Sequence, residues 1–216
     1  MAYKLAIFDL DGTVLDTIED LADSVNHALS ENSLPTRTVA EVCGFVGNGI
    51  HSLIERSVPT GTAPDVTEAV FNEFKEYYKA HSAVKTRPYD GICDMLRSLR
   101  AKGITLAVLS NKADFAVQTL VEMYFPGIFD YAAGEKTGVA RKPAPDGVNA
   151  ILSEFSLKRA EAVYIGDSEV DVQTAKNADM DCISVTWGFR NEDTLAKAGA
   201  SHLVHTVSEL EAAILH

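Results

Sequence analysis

Apolar positions along the chain follow two rhythms, and the change from one to the other divides it. The largely apolar run 4–8 is short and rich in β-formers, as in a strand buried on both faces. Helical spacing follows: Ile18, Leu21, Ala22, Val25, Ala28 and Leu29 predict a helix over 17–32, with Glu19 and Asp20 in the first turn, where the helix dipole favours acids. Pro35 and Thr38 restart the chain, Val46-Gly47-Asn48-Gly49 interrupts it, and a helical pattern resumes over 50–56. Beyond a loop at 59–64, Val66, Ala69, Val70, Phe71, Phe74, Tyr77 and Tyr78 share one broad face of a helix over 65–81.

From 88–91 onward, helices alternate with short β-rich runs. Helices over 92–102, 113–124, 145–155, 170–178 and 208–215 are interleaved with strands over 104–109, 129–133, 162–165, 182–185 and 202–204. This repetition predicts the α/β class: a Rossmann-like, mostly parallel sheet with helices on both faces. About seventy residues separate the first strand from the second, several times what one crossover helix needs. Residues 16–85 are therefore read as an inserted all-helical cap domain, and 1–15 with 86–216 as a Rossmann-like catalytic core. Because the insertion leaves the end of the first strand, it is expected to lie over that end.

Composition narrows the setting without changing this picture. With 216 residues, 46% hydrophobic and 23% charged, the chain can build one good core and a smaller accessory domain. Its apolar stretches are strand-sized, and Asp9 arrives before a signal-peptide core could form, so no membrane association and a cytoplasmic location are expected. A net charge of −12 without a Lys/Arg cluster argues against nucleic acid as a partner, though a small anion can still be held by local positive charge. Cys43, Cys93 and Cys182 are odd in number and form no CxxC pair, so they read as buried small hydrophobes. The six histidines show no metal-ligand spacing.

The chemistry gathers where strands end. The first strand runs into Asp9-Leu10-Asp11-Gly12-Thr13, placing two carboxylates at the edge where open α/β sheets bind ligands. Two like charges withdrawn from water there require compensation, for which a divalent cation is the natural partner. The strand over 104–109 ends in Ser110-Asn111-Lys112, read as a hydroxyl, an amide and a helix entry suited to phosphate oxygens. Pro143 and Pro145 fix the backbone beside Lys142, which could then pair with an anion and with Asp9. The strand over 162–165 ends in Gly166-Asp167-Ser168-Glu169-Val170-Asp171, with Asp167 and Asp171 one helical turn apart. Oxygen-only donors on a partly open site are what magnesium prefers.

Taken in order, Asp9-Leu10-Asp11-Gly12-Thr13, Ser110-Asn111, Lys142-Pro143 and Gly166-Asp167 with Asp171 resemble the four motifs of the haloacid dehalogenase superfamily of phosphohydrolases, and the helical insertion is similar to that family's small cap type. The resemblance implies that Asp9 is the nucleophile that takes the phosphoryl group. It implies that Asp11 is the general acid and base, and adds its backbone carbonyl to a Mg2+ shell formed with Asp9 and Asp167 and supported by Asp171. Ser110 and Asn111 would hold phosphoryl oxygens, and Lys142 would neutralise charge.

Asp11 disfavours the dehalogenase branch, and the absence of lysine between Lys4 and Lys75 disfavours a cap Schiff base of the phosphonoacetaldehyde hydrolase kind. β-Phosphoglucomutase remains the nearest rival, along with phosphatases for sugar phosphates or pyrophosphate. An inert binding module is the alternative of another class. The Val46-Gly47-Asn48-Gly49 stretch resembles a segment of phosphoglycolate phosphatases, as does Thr13-Val14-Leu15-Asp16-Thr17. Gly47, Asn48 and Gly49 can form a backbone N–H concavity for a small carboxylate, whereas Arg56 reads as a solvated surface residue. The expectation is a phosphatase for a small anionic phosphorylated metabolite, with 2-phosphoglycolate the favoured ester, working as a monomer or weak homodimer.

Overall fold

The computed structural model describes residues 3–216, so the first two residues of the predicted core segment lie outside it. The chain divides into two compact units: one takes the chain up to Leu15 together with Pro88–His216, the other Asp16–Arg87.

The first unit is built on a parallel sheet of six strands. In chain order it holds β1 (Leu5–Phe8), α5 (Ile92–Ala101), β4 (Thr105–Ala113), α6 (Asp114–Tyr124), β5 (Tyr131–Glu135), α7 (Asp146–Glu154), β6 (Ala162–Gly166), α8 (Glu169–Asn177), β7 (Asp181–Val185), α9 (Glu192–Ala198), β8 (Leu203–Val204) and α10 (Val207–Leu215). The sheet order is β5-β4-β1-β6-β7-β8. From β1 the chain adds strands outward on one side through β4 and β5. It then restarts beside β1 with β6 and continues outward on the other side. β1 is therefore the point where strand order reverses, and in open α/β sheets the crevice at that point is the ligand site.

All four residues of β1 are sealed from water, paired on one side with β4 (Phe8↔Val108) and on the other with β6 (Phe8↔Ile165). One face of the sheet packs Leu5, Ile7, Ala107 and Tyr164 against Val148, Ile151 and Leu152 of α7. That burial explains why these strands read as continuous apolar runs.

The second unit holds α1 (Ile18–Glu31), α2 (Val39–Phe45), α3 (Gly49–Ser57) and α4 (Pro64–His81), with α1 and α4 packed as its main pair. Thr38 and Glu41 form a capping box that starts α2, a helix absent from the sequence-based reading. Asp20 is buried in α1 and accepts backbone N–H bonds from Val84, Lys85 and Thr86 at 3.0, 3.0 and 2.8 Å, tying the first helix to the segment that leaves the unit. Two short strands, β2 (Leu15–Asp16) and β3 (Arg87–Pro88), pair with each other where the chain passes between the units.

Several expectations are corrected. β4 does not stop at Leu109 but continues extended to Ala113 after a register shift, so Ser110, Asn111 and Lys112 lie on a strand and not at a helix entry. Gly134 of β5 explains this: a Cβ there would collide with the Lys112 carbonyl, so the two backbones run in close contact along this stretch. β5 begins at Tyr131, two residues later than predicted. Phe129 is taken up by edge-on packing against Phe8 and Phe125, and the Asp130 carboxylate accepts the Leu106 N–H. α9 was not predicted. The three cysteines form no disulfide and are half-buried, not fully buried. No helix among the described residues is long and apolar enough to cross a membrane.

Candidate active site

The first carboxylate stands where β1 ends. The Asp9 N–H extends the ladder to the Ile165 carbonyl at 2.8 Å, and Asp9 Oδ1 accepts the Leu10 N–H at 2.7 Å. Lys142 Nζ approaches the same Oδ1 to 2.9 Å and lies 2.8 Å from Asp171 Oδ1, with all three side chains withdrawn from water. The loop carrying Lys142 is fixed by the Asn111 side-chain amide, which donates to the Lys142 carbonyl at 2.9 Å. With both donors on Oδ1, the arrangement leaves Oδ2 as the oxygen for attack or for a cation.

Asp167 follows β6 and Gly166. Its Oδ1 accepts the Thr13 hydroxyl at 3.1 Å and its Oδ2 the Phe189 N–H at 2.7 Å. Gly12, at φ 82°, and Gly188 flank it so closely that a Cβ on either would collide with its side chain. Trp187 is half-buried and donates its indole N–H to the Thr13 carbonyl at 3.1 Å, closing the other side of the Asp11–Thr13 turn.

Asp171 is held differently. Oδ2 accepts the Ser168 N–H and hydroxyl at 3.1 and 2.6 Å, which caps α8, while Oδ1 meets Lys142 and the Tyr164 hydroxyl at 3.2 Å. Its oxygens are engaged in orienting Lys142 and starting the helix.

Burial sets the electrostatics. Desolvation, aided by Asp171 and Asp11 and opposed by Lys142, raises the Asp9 carboxyl to about 7. Desolvation also pushes Asp167 well above the carboxylate range, with Asp171 and Asp9 adding to the shift. Although burial disfavours the Lys142 ammonium, Asp171 and Asp9 outweigh it and hold that group protonated well beyond its ordinary value. Asp9, Asp167 and Asp171 each bring a carboxylate oxygen within 4.8 Å of the others, all buried. An oxygen-only donor set crowded with like charge fits a hard divalent cation, which would let these acids ionise together.

Lys112, read from sequence as part of a Ser110-Asn111-Lys112 helix entry for phosphate oxygens, instead lies on β4 and pairs with Asp11, a partner the sequence did not suggest. Its Nζ lies 2.8 and 3.1 Å from the two oxygens of Asp11, and its side chain is only 3% exposed. Had 110–112 been read as strand, the i, i+2 rule would have put Ser110 and Lys112 on one face. In the second unit, Gly47 and Gly49 take positive φ of 123° and 77°, and Asn48 starts α3 without a side-chain cap. Arg56 is exposed and donates to the Phe45 carbonyl at 3.3 Å.

A reversed-order α/β sheet with carboxylates at the switch-point strand ends and a buried lysine between them is a site suited to phosphoryl chemistry. The chain belongs to the haloacid dehalogenase-like hydrolases, whose family model matches residues 6–185. It is 32% identical over 194 residues to the phosphoglycolate phosphatase of Pseudomonas putida, covering 87% of this chain and 71% of that protein. To phosphoglycolate phosphatase 1 of Pseudomonas aeruginosa it is 29% identical over 213 residues, covering 96% and 78%. A crystal structure from Lactobacillus delbrueckii subsp. bulgaricus, of a protein provisionally named a phosphoglycolate phosphatase, matches with a TM-score of 0.95 at 42% identity, covering 100% of this chain and 99% of that one.

Proposed function

We propose that the enzyme hydrolyses 2-phosphoglycolate with Mg2+ through a phosphorylated Asp9. The observation that carries this reading is the placement of Asp9 between Lys142 and Asp167 at the switch point, with Asp11 two residues on and held by its own lysine. Curated relatives named for phosphoglycolate favour that ester over a sugar phosphate.

In this reading an Asp9 carboxylate oxygen attacks phosphorus as the bond to the leaving oxygen breaks, and Asp11 gives that oxygen its proton. Asp11 then takes a proton from water, whose oxygen attacks phosphorus and releases inorganic phosphate and the Asp9 carboxylate. Ser110 and Asn111 hold phosphoryl oxygens, while Lys142 offsets charge on Asp9 and phosphate. Asp9, Asp167 and the Asp11 carbonyl would hold Mg2+, with Asp171 in support. Bound there, the ion would supply positive charge for the transferring phosphoryl group. Gly47, Asn48 and Gly49 are assigned to selection of the ester. The natural setting is the cytoplasm, and the protein works as a monomer or weak homodimer.

A panel of phosphate esters with Mg2+ tests the substrate: 2-phosphoglycolate should give the highest kcat/KM. Preference for a hexose phosphate, or transfer of phosphate between sugar positions without release, would overturn it. Acid quenching during turnover should trap phosphate on Asp9, identified by peptide mass.

A further inference from the structure

Two aspartates stand at the end of β1, and each has its own buried lysine. Lys142 serves Asp9 through a single oxygen and shares itself with Asp171. Lys112 instead spans both oxygens of Asp11. The Lys112 backbone is clamped. It lies on β4 next to β1 in the sheet, its N–H faces the Ser110 hydroxyl oxygen at 3.3 Å, and the β5 backbone at Gly134 presses against its carbonyl. A second β5 contact follows, because the Gly134 N–H donates to Asp114 Oδ1 at 2.9 Å and Ala113 is in register with Glu135. Asp11, by contrast, lies in the turn after β1, bridged to the Leu15 backbone. A side chain rooted in a strand thus orients a carboxylate carried by a turn, and groups that must transfer a proton work only when held near the productive geometry.

We infer that Lys112 is a positioning residue for the reaction: it sets the orientation from which Asp11 passes its proton to the leaving oxygen, and acts on turnover only through Asp11. This rests on the role given to Asp11 above. It predicts a signature that neither a packing role nor direct phosphate binding would give. Esters whose leaving oxygen needs protonation should depend on Lys112, and esters with a stable leaving anion should not.

The test measures kcat and KM for 2-phosphoglycolate and for p-nitrophenyl phosphate in wild type, Lys112→Met, Asp11→Asn and the double variant, with Mg2+ throughout. Proton donation contributes roughly 10²–10⁴-fold, so Lys112→Met should lower kcat on the alkyl ester by about 10–100-fold, with KM little changed and the nitrophenyl ester much less affected. In the Asp11→Asn background the lysine substitution should add nothing. Lys112→Gln, which retains one N–H donor and fills similar space, should fall between wild type and Lys112→Met. It carries the same comparison should the methionine variant not fold. Additive losses in the double variant, or equal losses on both esters, would overturn the inference while leaving Asp11 its role. If Asp11→Asn itself shows no leaving-group dependence, the role of Asp11 fails and this inference fails with it.

Discussion

Asp9 and Asp20 are both aspartates withdrawn from water, and they are held in opposite ways. Asp20, 3% exposed, receives backbone N–H donors from three consecutive residues, Val84, Lys85 and Thr86. Asp9, 9% exposed, receives one backbone N–H and one shared lysine, and lies within reach of other carboxylates. A buried acid surrounded by donors ties structure together. A buried acid short of donors and crowded by its own kind is held ready for a ligand or a reaction. Burial alone does not separate the two; the neighbours do.

The same conservative change at both positions should separate them most sharply. Asp9→Asn should lower kcat on the order of 10⁴-fold or more, as loss of a nucleophile does, while thermal denaturation shows a fold at least as stable as wild type. Retained turnover would place the nucleophile elsewhere.

Lys142→Met comes next, because it strips the cation from Asp9 and Asp171 together. Stability should fall by about 3–5 kcal/mol at pH 8 by chemical denaturation, and by less at pH 5, where the orphaned carboxyls can take up protons. An equal loss at both pH values would mean that packing, not charge, is what the lysine supplies.

At Asp20 the expected outcome is the reverse of that at Asp9. Asp20→Asn leaves one acceptor oxygen for three N–H donors and should cost about 1–3 kcal/mol, with turnover per folded molecule unchanged. Stability equal to wild type would remove the contrast.

The pH dependence of the fold sharpens it further. Asp9 loses its proton near 3.8 when unfolded but near 7 in the native protein, so between these values the folded state binds more protons and stability falls as pH rises. Melting curves in EDTA should show this decline across pH 4 to 7. Added Mg2+ should raise Tm more at pH 7.5 than at pH 5, because it favours the ionised carboxylates. Stabilisation independent of pH would exclude the acidic cluster as the binding site.

The smallest effect is expected at the second unit's glycine turn. Gly47→Ala strains a backbone at φ 123° and should raise KM for 2-phosphoglycolate by a few-fold, corresponding to about 1 kcal/mol, with kcat little changed. Unchanged KM would take this turn out of ester selection.

Much of the site could be read from the chain because its residues punctuate strand ends. Asp9 ends an apolar run, and Asp11, Lys142 and Asp167 stand beside Gly12, Pro143 and Gly166, whose backbone consequences are local. What could not be read depends on distant partners. Lys112 meets Asp11 across 101 positions of sequence, and the extension of β4 that aims it depends on close approach by Gly134 of another strand. The expected helix entry at Ser110 was a sound local reading overridden by that neighbour. Asp171 shows a second limit, since spacing put it near Asp167 but gave no sign that Ser168, Tyr164 and Lys142 would occupy its oxygens. Other omissions were avoidable: Thr38 with Glu41, and Asn191 accepting the Thr194 N–H, are ordinary helix starts written in the sequence.

The pairing of β2 with β3 has a bearing on how such enzymes diversify. Where a chain leaves and rejoins a domain through neighbouring strands, the two cut points lie about 5 Å apart, the spacing of paired strands, whatever length of polypeptide is spliced between them. A lineage can lengthen, trim or exchange the spliced segment without shifting the register of the central sheet. Inheritance can thus preserve the central sheet and its strand ends while the spliced segment changes under separate selection.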